Sequence, residues 1–143
     1  MKTKVLILGG SSFAGSNFIN FLIQKKRYKI LGTYNSKKNL KKLIFKNSLD
    51  KFKLIKLDLS IENNKLLKII KSFKPEYIFD FASVCLVNES WDTPNYYFKV
   101  NLNSKINFIK NMNNLSFIKK FIYVGTPEIF GSTLKPVKEN SLI

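Results

Sequence analysis

Histidine is absent from the 143-residue sequence, and cysteine occurs once, at Cys85. Without histidine the chain cannot form a Ser-His-Asp or Cys-His catalytic site. With one thiol it can form neither an internal disulfide nor a zinc cluster. Long apolar runs are missing too, because Gly9 and Gly10 end the run at residues 5–8 well short of a signal-peptide core or a membrane span. We therefore expect a cytoplasmic protein with a reduced thiol and no membrane partner.

Arginine is almost absent as well, and this weakens the strongest signal in the composition. The formal net charge is +16, but of the 25 basic residues only Arg27 is an arginine. A charge of this size favours a nucleic acid or an acidic membrane as partner, yet specific recognition of phosphates and bases usually relies on the planar guanidinium group. Abundant lysine, asparagine and isoleucine are what an A+T-rich coding sequence produces. We expect no specific nucleic-acid partner, and keep a basic nucleic-acid-binding domain as an alternative.

The sequence does contain short apolar strands that alternate with segments of helical period. Strands are predicted at residues 5–8, 29–34, 52–57, 77–82 and 117–124, and helices at about 12–24, 36–46, 66–73 and 94–112. This alternation predicts an α/β fold with a doubly wound parallel sheet, helices on both faces and strand order 3-2-1-4-5. The last helix carries an apolar stripe that we expect to be buried, formed by Phe98, Leu102, Ile106 and Ile109.

The turn at residues 9–15, with the sequence GGSSFAG, lies directly between the first strand and the first helix. Such a turn presents backbone N–H groups and a helix N-terminus to a pyrophosphate, and its glycines let the backbone approach closely. The alternative is a tight strand-to-helix turn that binds nothing. We predict a dinucleotide-binding turn whose contacts are Gly9, Ser12, Phe13, Ala14 and Gly15.

With this turn the chain resembles the extended short-chain dehydrogenase/reductase family, the NAD-dependent nucleotide-sugar epimerases and dehydratases. Gly9 and Gly15 match the first and third glycines of the family fingerprint GxxGxxG, and Ser12 stands at the second. Asn101 matches an asparagine of the family's long helix. The resemblance implies a Rossmann-type fold with further cofactor contacts. Asp58 and Leu59 would lie beside the adenine, and Val124 would make a contact at the end of the fifth strand. The residues beside the nicotinamide ribose would be Phe81, Ala82 and Ser83.

The end of the second strand usually decides between NAD and NADP. An acid there binds the 2′-hydroxyl group, whereas basic residues accept a 2′-phosphate. Residues 33–36 contain no acid, and Lys37 and Lys38 follow them. With Asn35 as the predicted contact, the sequence favours NADP slightly over NAD.

Residues 123–131, with the sequence YVGTPEIFG, resemble the family's Ser/Thr-x-Glu-aliphatic-aromatic-Gly segment. The resemblance implies that the Thr126 hydroxyl bonds the sugar oxygen being oxidised, and that Glu128 removes the C5 proton once C4 is oxidised. The glutamate is typical of 4,6-dehydratases such as the GDP-mannose enzymes, whereas 4-epimerases generally lack it. Thr126 and Glu128 are therefore the candidate catalytic residues, with ordinary loop residues after a strand as the alternative.

The resemblance covers nearly all 143 residues, but only about the first half of a family member. The family's YxxxK tyrosine and lysine would lie beyond Ile143. We expect residues 1–143 to form an incomplete NAD(P)-binding Rossmann domain, truncated after about five strands and inactive alone. Its parent would bind a nucleotide sugar and form a homodimer. The alternative is a non-catalytic module that senses a dinucleotide and regulates a partner. An apolar fifth strand at the sheet edge also predicts self-association.

Overall fold

A five-stranded parallel sheet organises the chain in the computed structural model, which describes residues 2–36, 52–112 and 114–141. The strand order is β3-β2-β1-β4-β5, and all four neighbouring pairs are parallel. The predicted Rossmann-type sheet and its strand order are therefore confirmed. The strands are β1 (Thr3–Leu8), β2 (Tyr28–Tyr34), β3 (Lys53–Lys56), β4 (Tyr77–Asp80) and β5 (Lys120–Tyr123).

Helices connect these strands. A π-helical turn at Lys99–Asn103 joins α4 to α5, and a 3₁₀ helix at Pro127–Phe130 follows β5. The helix predicted at residues 36–46 lies almost wholly outside the described residues. None of the helices that the structure describes is long and apolar enough to cross a membrane. The α-helices are α1 (Phe13–Gln24), α2 (Asn63–Phe73), α3 (Val87–Asp92), α4 (Pro94–Phe98) and α5 (Ser104–Met112).

Strand β1 is buried on both faces, and its alternate side chains enter two separate cores. Val5 and Ile7 pack with Ile19 of α1 on one face. Leu6 and Leu8 pack on the other face against residues of α2 and α5. A strand covered on both sides needs apolar residues at every position, which explains the uninterrupted run ahead of the glycine turn. Burial of each of these side chains contributes about 1.5–3 kcal/mol.

The apolar stripe predicted to be buried along the last helix points away from the sheet, so that prediction is wrong. The face that packs against the sheet carries Phe108 together with the polar Ser104 and Lys105. Both polar residues have partners there, because Ser104 Oγ donates to the Val100 carbonyl at 2.6 Å and the Lys105 ammonium pairs with Asp80. Satisfied polar groups can face inward. The four stripe residues are 47–61% exposed: Phe98, Leu102, Ile106 and Ile109.

The exposed stripe and the edge strand β5 predict that the chain self-associates. We expect light scattering to show dimers or larger species, and Ile106→Glu to shift the chain toward monomer by placing a charge in the apolar stripe. Asn107→Glu adds the same charge at an exposed position beside the stripe and serves as the control. A monodisperse monomer of the unmodified chain would contradict the prediction.

Candidate functional site

The carboxyl ends of β1 and β4 mark the point where the strand order reverses, and open α/β sheets bind their ligands at such a switch point. A cavity of about 170 Å³ lies there, which we call the switch-point crevice. Its volume is below the 300–1,000 Å³ of a typical small-molecule site. It can therefore enclose part of a dinucleotide, with the rest along the open surface. Eight of the twelve predicted cofactor contacts line it, namely Gly9, Ser12, Asn35, Asp58, Leu59, Phe81, Ala82 and Ser83.

The glycine turn forms one wall of the crevice in direct contact with the end of β4. Gly9 has a φ of +69°, and a Cβ atom there would lie 2.7 Å from the backbone nitrogen of Ala82. The Gly9 N–H donates to Thr33 Oγ1 at 3.1 Å. Thr33 is buried at the end of β2 and was missed by the sequence analysis, although a polar residue that closes an apolar strand is a usable signal. Only a glycine fits this turn.

Ser12, the departure from the family fingerprint, is the N-cap of α1. Its Oγ accepts the Gly15 N–H at 3.0 Å, the bond that a capping serine characteristically makes. The N–H groups of Phe13 and Ala14 lie in the first turn, where a helix offers no preceding carbonyl to bond. Neither residue lines the crevice; Phe13 is 85% exposed, beside it on the surface. The cap thus leaves two N–H groups at the positive end of α1 for an anion.

Asp58 lies in a turn fixed by its own hydrogen bonds. Its Oδ1 accepts both the backbone N–H of Ser60, at 2.9 Å, and the Ser60 hydroxyl, at 2.6 Å. Its N–H donates to Glu62 at 2.6 Å. The pKa of Glu62 is below its usual value. The hydrogen bond from the Lys65 side chain lowers it most, and the bond from the Asp58 N–H is the second largest cause. Among the described residues Asp58 Oδ2 accepts no bond, while Leu59 is largely part of the core.

Asn35 and Tyr96 meet across the mouth of the crevice. The Asn35 amide donates to the Tyr96 hydroxyl at 3.4 Å, and both side chains line the crevice. Sequence reasoning missed Tyr96, because an aromatic residue in a helix is usually a core residue. Its neighbour Tyr97 donates to the Leu86 carbonyl at 2.6 Å. The pKa of Tyr97 is raised, mainly by partial burial and to a smaller extent by the negative charge of Glu89.

Asn101 fixes the loop that follows the crevice wall at Ser83. Its side-chain oxygen accepts the Val84 N–H at 3.0 Å, and its amide donates to the Val84 carbonyl at 2.8 Å. Asn101 belongs to the π-helical turn, and such turns are frequent at functional sites. The asparagine matched to the family therefore holds the loop backbone through two bonds.

Thr126 and Glu128 come together after β5. Thr126 is the N-cap of the 3₁₀ helix. Its hydroxyl accepts the Glu128 N–H at 3.3 Å and donates to the Glu128 carboxylate at 3.2 Å. Both side chains are exposed and neither lines the crevice, and the same holds for Val124. The arrangement offers a hydroxyl group and a carboxylate in one exposed pair at the carboxyl edge of the sheet.

A larger groove, of about 710 Å³, lies between β3 and α2. Its walls carry lysine residues and apolar side chains, for example Lys53, Lys68 and Ile69, and none of the predicted site residues. It also lies away from the switch point. The crevice, although smaller, is therefore the candidate site.

The fold and the glycine turn at its switch point define the chain as a Rossmann-type α/β protein. The family model described as GDP-mannose 4,6 dehydratase matches residues 6–142. The chain therefore belongs to this family, within the extended short-chain dehydrogenases/reductases that comprise NAD-dependent epimerases and dehydratases.

Individual proteins are similar to the chain in sequence or in fold. A UDP-glucose 4-epimerase of Mycoplasma genitalium is 29% identical over 134 residues, which cover 92% of this chain and 38% of the relative. The structure of the UDP-Glc/GlcNAc 4-epimerase of Campylobacter jejuni has a TM-score of 0.84 at 27% identity and covers 98% of this chain. A dTDP-glucose 4,6-dehydratase of Bacillus anthracis, solved in complex with NAD, has a TM-score of 0.77 at 20% identity, with 99% of this chain and 44% of that one covered.

The chain spans 38% of the mycoplasma enzyme and 42% of the Campylobacter enzyme. The matched part contains the five-stranded sheet and the switch-point crevice.

Proposed function

We propose that this chain is the cofactor-binding part of an NAD(P)-dependent nucleotide-sugar 4,6-dehydratase or epimerase. The observation that carries the proposal is the glycine turn, where Gly9 packs on the backbone of Ala82 and α1 presents two N–H groups beside a crevice lined by eight predicted contacts. The residues present fit a dinucleotide, because the close contact of Gly9 with Ala82 brings the first turn of α1, with its two N–H groups, to the edge of this crevice. A bound nicotinamide cofactor would supply hydride transfer to and from the sugar.

Each wall of the crevice has a separate part in holding the dinucleotide. The first turn of α1 takes the pyrophosphate, since its N–H groups and helix dipole favour an anion. Asn35 and Asp58 follow β2 and β3 and take the adenosine half. The segment from Phe81 to Ser83 follows β4 and takes the nicotinamide ribose. NAD is the simpler proposal because the Bacillus anthracis relative is solved with it, and the absence of an acid at residues 33–36 supports acceptance of NADP as well.

Thr126 and Glu128 are proposed as the part of the catalytic machinery that this chain carries. The hydroxyl would bond the sugar oxygen under oxidation, and the carboxylate would remove the C5 proton that the oxidation acidifies. The carboxylate favours the dehydratase over the epimerase. No tyrosine follows Glu128 in the sequence, so the general base of the family is not supplied by residues 129–143. We propose that the chain binds its cofactor without converting a nucleotide sugar.

Titration of NADH and NADPH, followed by nicotinamide fluorescence, tests cofactor binding. We expect saturable binding of at least one of them and no turnover of a nucleotide sugar by the same preparation. Asn35→Asp should weaken NADPH relative to NADH by about tenfold, because a carboxylate repels the 2′-phosphate and one tenfold step corresponds to ~1.4 kcal/mol. Absence of binding by both nucleotides would overturn the proposal, and turnover would overturn the statement that the chain alone is inactive.

Two other functions were open from the sequence, a dinucleotide-sensing regulatory module and a basic nucleic-acid-binding domain. Neither is favoured by the family match or by the structural neighbours. For the intact protein we propose a homodimer, supported by the apolar stripe that the long helix exposes around Leu102 and Ile106. The light-scattering comparison described above tests the contribution of this stripe.

A further inference from the structure

A buried ion pair lies directly behind the crevice. Lys105 Nζ lies 2.6 Å from Asp80 Oδ2, and the two side chains are only 9% and 0% exposed. Burial of two charges is expensive, and well-packed apolar residues often stabilise a protein as well as such a pair does. The presence of this pair therefore calls for a reason beyond stability.

The pair holds both polar groups of one backbone position. Asp80 Oδ1 accepts the Ala82 N–H at 2.9 Å, and Lys105 Nζ donates to the Ala82 carbonyl at 2.8 Å. Ala82 lies two residues beyond the end of β4, where the strand no longer supplies ladder bonds. Backbone groups in such a position need other partners. The ion pair provides them and thereby fixes the orientation of the peptide groups on both sides of Ala82.

The glycine turn packs directly against the backbone of Ala82. The Gly9 backbone approaches it so closely that a Cβ would be 2.7 Å from Ala82 N. Lys105 also lies 5.7 Å from the centroid of the Tyr123 ring on β5, so the same ammonium group contacts the ends of two strands. Asp80 and Lys105 do not line the crevice themselves. They act on it through the backbone that they hold.

We propose that Lys105 and Asp80 are positioning residues that fix the Ala82 backbone for the nicotinamide half of the dinucleotide. This inference rests on the proposed function. Sites of this kind depend on backbone groups held to within about 0.5 Å by residues behind them. Loss of the pair should therefore weaken binding of the whole dinucleotide.

The adenosine half should not depend on the pair. In the proposed binding mode it would lie at the ends of β1, β2 and β3, where the glycine turn has anchors of its own. Gly9 N–H is held by Thr33, and Gly15 N–H is held by Ser12. ADP, which lacks the nicotinamide half, is thus an internal reference for damage to the rest of the site.

The test compares NADH and ADP on the unmodified chain and on the double variant Asp80→Asn/Lys105→Met. The first change keeps an oxygen that can accept the Ala82 N–H, and the second removes the donor to its carbonyl without leaving an unpaired charge. We expect NADH to bind about tenfold more weakly, the value of one lost hydrogen bond, while ADP affinity stays within about twofold. Lys110→Met removes an exposed lysine of the same helix and should change neither affinity.

Equal loss of NADH and ADP affinity would mean a general structural role and would overturn the inference, as would unchanged affinity for both. If the unmodified chain binds neither NADH nor NADPH, the proposed function fails first, which is a separate result; a chain that binds only NADPH is compared in the same way with NADPH in place of NADH. Should the double variant not fold, Asp80→Asn/Lys105→Gln is measured instead. Its amide can donate to the Ala82 carbonyl, and a ratio of NADH to ADP affinity close to that of the unmodified chain is then expected; a tenfold lower ratio would overturn the inference.

Discussion

Replacing Gly9 by alanine is expected to abolish NADH binding and to lower the free energy of unfolding by about 3 kcal/mol. Two independent effects add at this position. The φ of +69° is unfavourable for any residue with a Cβ, and that Cβ would meet backbone atoms of Phe81 and Ala82 at 2.7 Å. Backbone cannot move aside as a flexible side chain can, so the turn or the end of β4 must shift. Either shift deforms the crevice.

Gly125→Ala is the matched control. A Cβ at Gly125 would have nothing within 4 Å, and its φ is not in the left-handed region. Urea unfolding should therefore show a stability change within about 0.5 kcal/mol for Gly125→Ala and a much larger loss for Gly9→Ala. NADH titration of both variants completes the comparison. Normal binding by a folded Gly9→Ala chain would show that the close contact between the glycine turn and Ala82 is not needed.

The sheet and the glycine turn were predictable because both depend on patterns of residues that are close together in the sequence. Apolar runs bounded by glycine and proline mark the strands, and their alternation with helical segments leaves few possible topologies. The contacts that line the crevice after β3 and β4, such as Asp58 and Ala82, came from the family resemblance and gather at one edge of the sheet because parallel strands end there. Ser12 as a helix cap was also within reach, since serine is a preferred N-cap residue.

The features that escaped prediction depend on pairs of residues far apart in the chain. Asn35 and Tyr96 are 61 positions apart, and Asp80 and Lys105 are 25 apart. The second pair decides which face of the long helix packs against the sheet. An apolar stripe predicts which residues share a face, but Lys105 faces inward because it pairs with the buried Asp80. The periodicity of Leu102 and Ile106 holds no information about that partner.

Lys105→Met alone is expected to lower the free energy of unfolding by about 3–5 kcal/mol, the usual result of removing one partner of a buried ion pair. The loss comes chiefly from Asp80, whose carboxylate stays fully buried without its ammonium. Asp80→Asn/Lys105→Met leaves no buried charge, so we expect the second change to recover most of the loss. Lys110→Met, at an exposed position of the same helix, should stay within about 0.5 kcal/mol of the unmodified chain.

Urea unfolding of the unmodified chain, both single variants and the double variant gives the coupling energy of the pair. The charges are dispensable for folding if each single variant is much less stable than the unmodified chain while the double variant is nearly as stable as the unmodified chain. The pair would then be retained for what it holds, the Ala82 backbone beside the glycine turn. If the double variant is instead as unstable as Lys105→Met, the ion pair itself stabilises the fold, and the buried charges need no role at the crevice to account for them.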